Sequence, residues 1–335
     1  RGTAASRGGA APPAPGAAPT SSLYDPAQDA SFPEGFVLSE FRPPSWSKDG
    51  RRVFLGIREQ EDEAPRSEEP RANVDVWHWK ARRVPSVQQV QAARDRRAAF
   101  LSVLNLEGSR FFRLATEAME RVQLSDDGRW AVGFDDSRYW VDPDHQDNRA
   151  DVYRLDPATG EKTLVAEALT HSMGTSADSR WLLYWQDRQV QAYELATERR
   201  VNLTQASGGI DFENKEYDQP VERPTYGVGG WSSDGKHVFL NHRFDVWQVP
   251  LGGGAATNLT GGMGARDQIQ FRIMDLDSED DGVDTAKPFY LSAYGEWSKK
   301  SGYFRARPGR DPEELLFQDA VLGTGGFRGA GLVKA

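Results

Sequence analysis

The chain of 335 residues contains no cysteine, which excludes disulfides and thiolate metal sites. Its five histidines, His78, His145, His171, His237 and His242, are scattered, and no two of them stand four residues apart. No apolar run is long enough to span a bilayer as a helix. Positive charge is also in short supply, with 41 Lys and Arg against 50 Asp and Glu and a net charge of -9. Displacing counterions from a phosphate backbone needs clustered cations, so nucleic acid is not the expected partner. No segment reads Gly-x-Ser-x-Gly, the turn that exposes a nucleophilic serine in α/β-hydrolases. Nor do helices alternate with strands as a parallel sheet requires. The sequence therefore predicts no catalytic residue, no metal and no cofactor.

What the sequence does contain is a repeat. Ser47-Lys48-Asp49-Gly50, Ser125-Asp126-Asp127-Gly128 and Ser232-Ser233-Asp234-Gly235 are three copies of one turn. Ser176-Ala177-Asp178-Ser179 is a degenerate fourth, and position places a fifth near Asp280-Asp281-Gly282. Asp-Gly tolerates the positive backbone angles of a tight hairpin. Apolar residues alternate after each turn, as in Trp130, Val132 and Phe134, or Trp181, Leu183 and Trp185, which is strand periodicity. Third strands are expected at Asp75-Val76-Trp77, Asp151-Val152-Tyr153, Gln191-Ala192-Tyr193 and Asp245-Val246-Trp247. Closing strands are expected at Glu161 to Val165, Arg200 to Thr204 and Ala256 to Thr260. Four strands per unit of about 40 to 50 residues define an all-β fold, a β-propeller of four-stranded antiparallel blades with about five units present.

Residues 1–33, rich in Ala, Pro and Gly, read as a disordered tether, and residues 34–335 as a partial propeller. A tether of this composition commonly follows a removed export signal, so the expected location is exported, periplasmic or secreted. The charged run from Glu59 to Arg71 reads as a solvated loop. One helix is expected near Ser86–Ala98, with Ser86 and Gln89 forming a capping box and Val87, Val90 and Ala93 at helical spacing. Such a helix projects from its blade and suits contact with another domain or chain. Asp277 to Gly282 resembles the start of a calcium loop, but its twelfth place is Pro288 where a bidentate Glu is required, so it reads as a solvated turn. Asn202-Leu203-Thr204 and Asn258-Leu259-Thr260 fit a glycosylation acceptor, yet they occupy equivalent places in two units, which strand-end repetition explains more simply. The stretch least accounted for by blade geometry runs from Asp211 to Trp231, and long irregular connections in compact domains tend to be functional.

Three segments carry a family resemblance: Val74-Asp75-Val76-Trp77-His78-Trp79-Lys80, Asn214-Lys215-Glu216-Tyr217-Asp218-Gln219-Pro220 and Tyr226-Gly227-Val228-Gly229-Gly230-Trp231. Together with the Trp-Ser-x-Asp-Gly turns they resemble the propeller domain of exported serine peptidases of the prolyl oligopeptidase family. The resemblance runs from about Phe36 to the end of the chain. It implies a propeller lying over an α/β-hydrolase domain and restricting access to a Ser-Asp-His triad that this chain lacks. About five units, against the seven or eight usual in that family, mark the chain as a fragment of the propeller, inactive by itself. The implied partners are the hydrolase domain of the same protein and a peptide substrate, and open sheet edges invite oligomers.

Glu213, Glu216, Asp218 and Tyr226 are the candidate substrate-binding residues. Carboxylates converging beside a cavity can hold the free amino group of a peptide, as paired propeller glutamates do in some relatives in that wider family. With Lys215 among them, the acids more readily form a salt-bridge network that holds the loop. The alternative function, from a different class, is a free-standing propeller like those of the Tol envelope system, acting as a scaffold for protein partners.

Overall fold

The computed structural model describes residues 23–60, 77–78, 81, 83–140, 148–274, 276, 282–320 and 322. It is nearly all β, with five antiparallel sheets in chain order. In the first sheet β1 (Phe36–Leu38) and β2 (Ser45–Trp46) both pair with β3 (Arg52–Glu59), so together they form an interrupted first strand. Helix α1 (Pro85–Asp95) follows, then β4 (Phe100–Asn105) and β5 (Arg110–Arg113). The second sheet is β6 (Arg121–Leu124), β7 (Ala131–Asp135), β8 (Ala150–Leu155) and β9 (Lys162–Leu169). The third is β10 (His171–Thr175), β11 (Trp181–Gln186), β12 (Gln189–Glu194) and β13 (Arg200–Asn202), closed by the short helix α2 (Leu203–Ala206). The fourth is β14 (Val228–Trp231), β15 (His237–Asn241), β16 (Val246–Pro250) and β17 (Thr257–Asn258), followed by α3 (Met263–Asp267). The fifth is β18 (Ile269–Ile273), β19 (Phe289–Gly295), β20 (Ser301–Ala306) and β21 (Glu313–Gln318). Each sheet pairs its strands in sequence order, the signature of propeller blades.

The repeated turn is built around its serine. In each of four copies a serine hydroxyl donates to the aspartate two residues on, at 2.6 Å from Ser47, 2.9 Å from Ser125, 2.5 Å from Ser176 and 2.6 Å from Ser232. The same oxygen accepts the N–H of the residue five on, at 2.9 to 3.1 Å. All four serines are buried. Gly50, Gly128 and Gly235 take φ of 68°, 71° and 66°, and Ser179 takes 58° in the degenerate copy. A non-glycine residue is strained there. Its hydroxyl, however, accepts the Asp127 N–H of the preceding blade at 3.1 Å, so the departure from glycine adds a bond between blades.

The blades stack face to face through alternate side chains. On β11, Trp181, Leu183 and Trp185 pack with Val238 and Leu240 of the fourth sheet. The intervening Leu182 and Tyr184 pack with Val132, Phe134 and Val152 of the second. Further apolar clusters join the first sheet to the second and the fourth to the fifth. Among the described residues none joins the fifth sheet to the first.

Several expectations are corrected. Trp77 lies outside any strand and is 70% exposed; Asp75 and Val76 lie outside the described residues. The third strand of the first blade is β4, because α1 is inserted between β3 and β4. The helix is capped at Val84 with Pro85 at its first position and no side-chain cap, so Ser86 lies inside it. Proline lacks an N–H and fits that position at no hydrogen-bond cost. Val87 and Val90 are exposed, so they form no buried stripe. The fifth blade exists, but β18 and β19 are joined by a long connection and not by a tight turn. Asp277 to Asp281, the calcium-like segment, lie outside the described residues, as do 61–76 and His145. Of the tether, residues 23–33 are described, and Tyr24 and Phe32 pack against Leu55, Ile57, Leu104 and Phe111 on the outer side of the first blade. Leu203 and Thr204 are helical and not strand.

Candidate functional site

Antiparallel strands reverse direction at each step, so the two kinds of connection emerge at opposite ends of the propeller. The Ser-x-Asp-Gly turns join first to second strands at one end. The connections from second to third strand, and from each fourth strand to the next blade, emerge at the other. Residues 207–227 are such a crossing between blades three and four. Arg188, Arg243 and Glu296 lie in second-to-third connections of blades three, four and five, at that same end.

The crossing loop is tied down along its length. Phe212 is fully buried in the cluster between blades three and four. Glu213 and Thr225 form an isolated antiparallel bridge, and the Asn214 N–H donates to the Pro224 carbonyl at 2.8 Å. The Trp185 indole N–H donates to the Arg223 carbonyl at 2.8 Å, and the Thr170 hydroxyl to Glu222 at 2.6 Å.

Each candidate residue now has a place. Glu213 is buried and paired with Arg188. Glu216 accepts the Tyr226 hydroxyl and pairs with Arg243 at 2.9 Å. Arg243 also holds Glu296 at 2.9 Å, which couples the loop to the fifth blade. Lys215 pairs with Asp211 at 2.8 Å and not with Glu213 or Glu216. Asp218 is exposed at the loop tip. The structure thus brings Glu216, Tyr226, Arg243 and Glu296 together, and gives Glu213 a separate cation. Sequence reading missed Arg243, Glu296 and Arg272, which come from two other blades and have no motif of their own.

Burial and the Glu216 hydrogen bond push the Tyr226 phenol up to about 12, so it stays a donor at neutral pH. Its ring lies 5.8 Å from that of His242. Burial holds the His242 imidazole below its ordinary value, with Asp245 and the Asp211 backbone opposing that shift. Burial likewise lowers the Arg272 guanidinium to about 10. No group of three or more His, Cys, Asp or Glu placed to hold a metal occurs among the described residues. Among those residues no helix is long and apolar enough to cross a membrane.

Beyond the acid loop, the aspartates of the third-strand motif are structural. Asp245 is buried and accepts the Thr260 hydroxyl at 2.6 Å and the Gly264 N–H at 3.0 Å. Asp151 accepts the Tyr139 hydroxyl at 2.6 Å and the Ala168 N–H at 3.0 Å. The two Asn-Leu-Thr segments serve the same junction. Asn202 caps α2, Asn258 accepts the Thr260 N–H at 2.9 Å, and both threonines are buried.

The fold and this end face define a β-propeller domain with a braced polar loop. No protein-family model and no curated protein matches the sequence. Solved structures align with the chain at low similarity. A putative TolB from Agrobacterium tumefaciens is 13% identical, with 82% of this chain aligned to 80% of that one at a TM-score of 0.32. The β-propeller domain of the Trilobed protease from Pyrococcus furiosus is 12% identical over 82% of this chain and 72% of that one, at 0.36. A prolyl endopeptidase is 14% identical over 82% of this chain but only 36% of its own, at 0.41.

Proposed function

We propose that this chain is a non-catalytic propeller domain of a prolyl oligopeptidase-like serine peptidase, exported from the cell, which gates access of peptides to an α/β-hydrolase domain. In this reading Glu213, Glu216, Asp218 and Tyr226 form a peptide-binding edge at the end face. The observation that carries it is the bracing of residues 207–227, which holds Glu216 and Tyr226 in one polar cluster with side chains from two further blades. Glu216 is already shared between Tyr226 and Arg243, so an incoming ammonium competes with Arg243 for its carboxylate. Asp218, exposed and two residues away, is the first acid such a ligand meets.

The test is a binding titration of the chain with short peptides bearing free or acetylated amino termini. Glu216→Gln should weaken the free-amine peptides by about tenfold and leave the acetylated ones unchanged. An equal effect on both would sink the amine-binding role. The Tol-like scaffold reading finds its own support in the outer face of the fifth blade, where Tyr290 and Tyr294 are exposed.

A further inference from the structure

Among the described residues no carboxylate pairs with Arg272. The arginine stands on β18, the first strand of the fifth blade, opposite Ser292 of β19. Phe271 and Ile273 on either side of it belong to the cluster that joins blades four and five, so Arg272 points the other way. From there its guanidinium reaches back over the edge of the strand to the second-to-third connection of blade four, donating to the Arg243 carbonyl at 3.4 Å. Its other hydrogen bond, at 2.6 Å, is to the carbonyl of neighbouring Phe271. A guanidinium carries five N–H donors, and two neutral carbonyls leave most of its capacity unused.

The surrounding acids among the described residues are committed elsewhere. Glu216 is taken by Tyr226 and Arg243, Glu296 by Arg243, Asp211 by Lys215, and Asp245 by Thr260 and the first turn of α3. Among the described residues the one ionisable group whose charge acts on Arg272 is Tyr226, which is neutral at physiological pH. Removing a guanidinium from water without a counter-charge is costly, and an anion arriving from outside would offset that cost.

We propose that Arg272 is the anchor of a carboxylate subsite at the end face, taking a peptide carboxylate through charge-assisted hydrogen bonds. The proposal deepens the peptide-binding reading of this face and rests on it. A peptide bound there lies between an acidic edge at Glu216 and Asp218 and a cationic one at Arg272. The carboxylate comes either from the peptide C-terminus or from an acidic side chain.

The experiment uses only amino-acetylated probes, so that recognition of a free amine does not enter. The chain is titrated calorimetrically with N-acetyl-trialanine, with the same peptide as its C-terminal amide, and with an acetylated, amidated tripeptide carrying one central glutamate. The expected result is a preference of about tenfold or more for the free carboxylate over the amide. Arg272→Met should abolish that preference, and Arg272→Lys should retain part of it. Binding of the glutamate peptide in place of the C-terminal acid identifies the source as a side chain and equally supports the subsite. A wild-type chain that prefers neither the free C-terminal acid nor the glutamate peptide over the amide, or a carboxylate preference that survives Arg272→Met, overturns the proposal. Should Arg272→Met fail to fold, the Arg272 side-chain N–H resonance of the wild-type protein is followed during acetate titration, where a saturable shift supports the site and no shift overturns it. An equal effect of Glu216→Gln on free-amine and acetylated peptides, with this carboxylate result intact, marks failure of the amine-binding reading alone.

Discussion

At the scale of single residues, the motif that recurs along the chain is a packing device more than a turn signal. Ser232 donates to Asp234 at 2.6 Å and accepts the His237 N–H at 2.9 Å while 5% exposed, so its hydroxyl closes the base of the hairpin where water cannot replace it. Ser232→Ala removes the acceptor of that N–H and should cost about 1–3 kcal/mol in urea unfolding. Gly128 is constrained twice, by φ of 71° and by the Phe54 ring, which an added Cβ would meet at 2.8 Å. Gly128→Ala should therefore destabilise by about 1–3 kcal/mol, read in the same assay. Only the φ requirement was legible in Asp127-Gly128. The contact with Phe54 of the preceding blade was not, because it joins residues 74 positions apart.

At the scale of elements, the loop of residues 207–227 and the connection bearing His242 stand or fall together. Burial depresses the His242 imidazole, so the folded protein holds it neutral where the unfolded chain, with an ordinary value of about 6.5, already binds a proton. Stability contributed by the neutral ring is fully present above that value and is lost as pH falls below it toward the folded pKa. Chemical denaturation between pH 7 and pH 5 should show this decline, and His242→Gln should flatten it. Should the variant keep the full slope, the titrating group lies elsewhere. The carboxylates of the hairpins titrate in a lower window. Asp49 and Asp234 are held below their ordinary range, first by their serine hydroxyls, so their contribution persists above about pH 4 and disappears under stronger acid. The helix shows the opposite lesson about legibility. Its existence was readable from local spacing, but its cap was not, since Pro85 at the first position and Ser86 as a cap differ by two residues in register.

At the scale of the whole molecule, stability runs through interfaces between neighbouring blades. Trp185 is fully buried in the cluster shared by blades three and four, and its indole N–H holds the Arg223 carbonyl of the crossing loop. Trp185→Ala should cost about 3–5 kcal/mol. In a stacked array the loss spreads to nearest neighbours first. Hydrogen exchange should accordingly rise in β11, β15 and residues 207–227 before it rises in β3 and β4. Uniform loss of protection across all five blades would show a single cooperative unit instead. The two flanks of the stack differ as well. Tyr24 and Phe32 cover the outer face of the first blade, whereas Tyr290 and Tyr294 of the fifth stand exposed.

The strands of blades two to four and their order were determined by sequence alone, because each hairpin there depends on contacts a few residues apart: the Ser-x-Asp turns, alternating apolar side chains and a recurring spacing. The acid loop could be singled out for the same reason, as a segment that obeys none of those local rules. Which charges meet was decided by tertiary structure. Glu216, Arg243, Glu296 and Arg272 belong to separate connections and strands, brought to one end because successive strands reverse direction and successive blades stack side by side. Coulombic pairing and desolvation depend on distance and burial, and neither quantity exists until the blades have assembled.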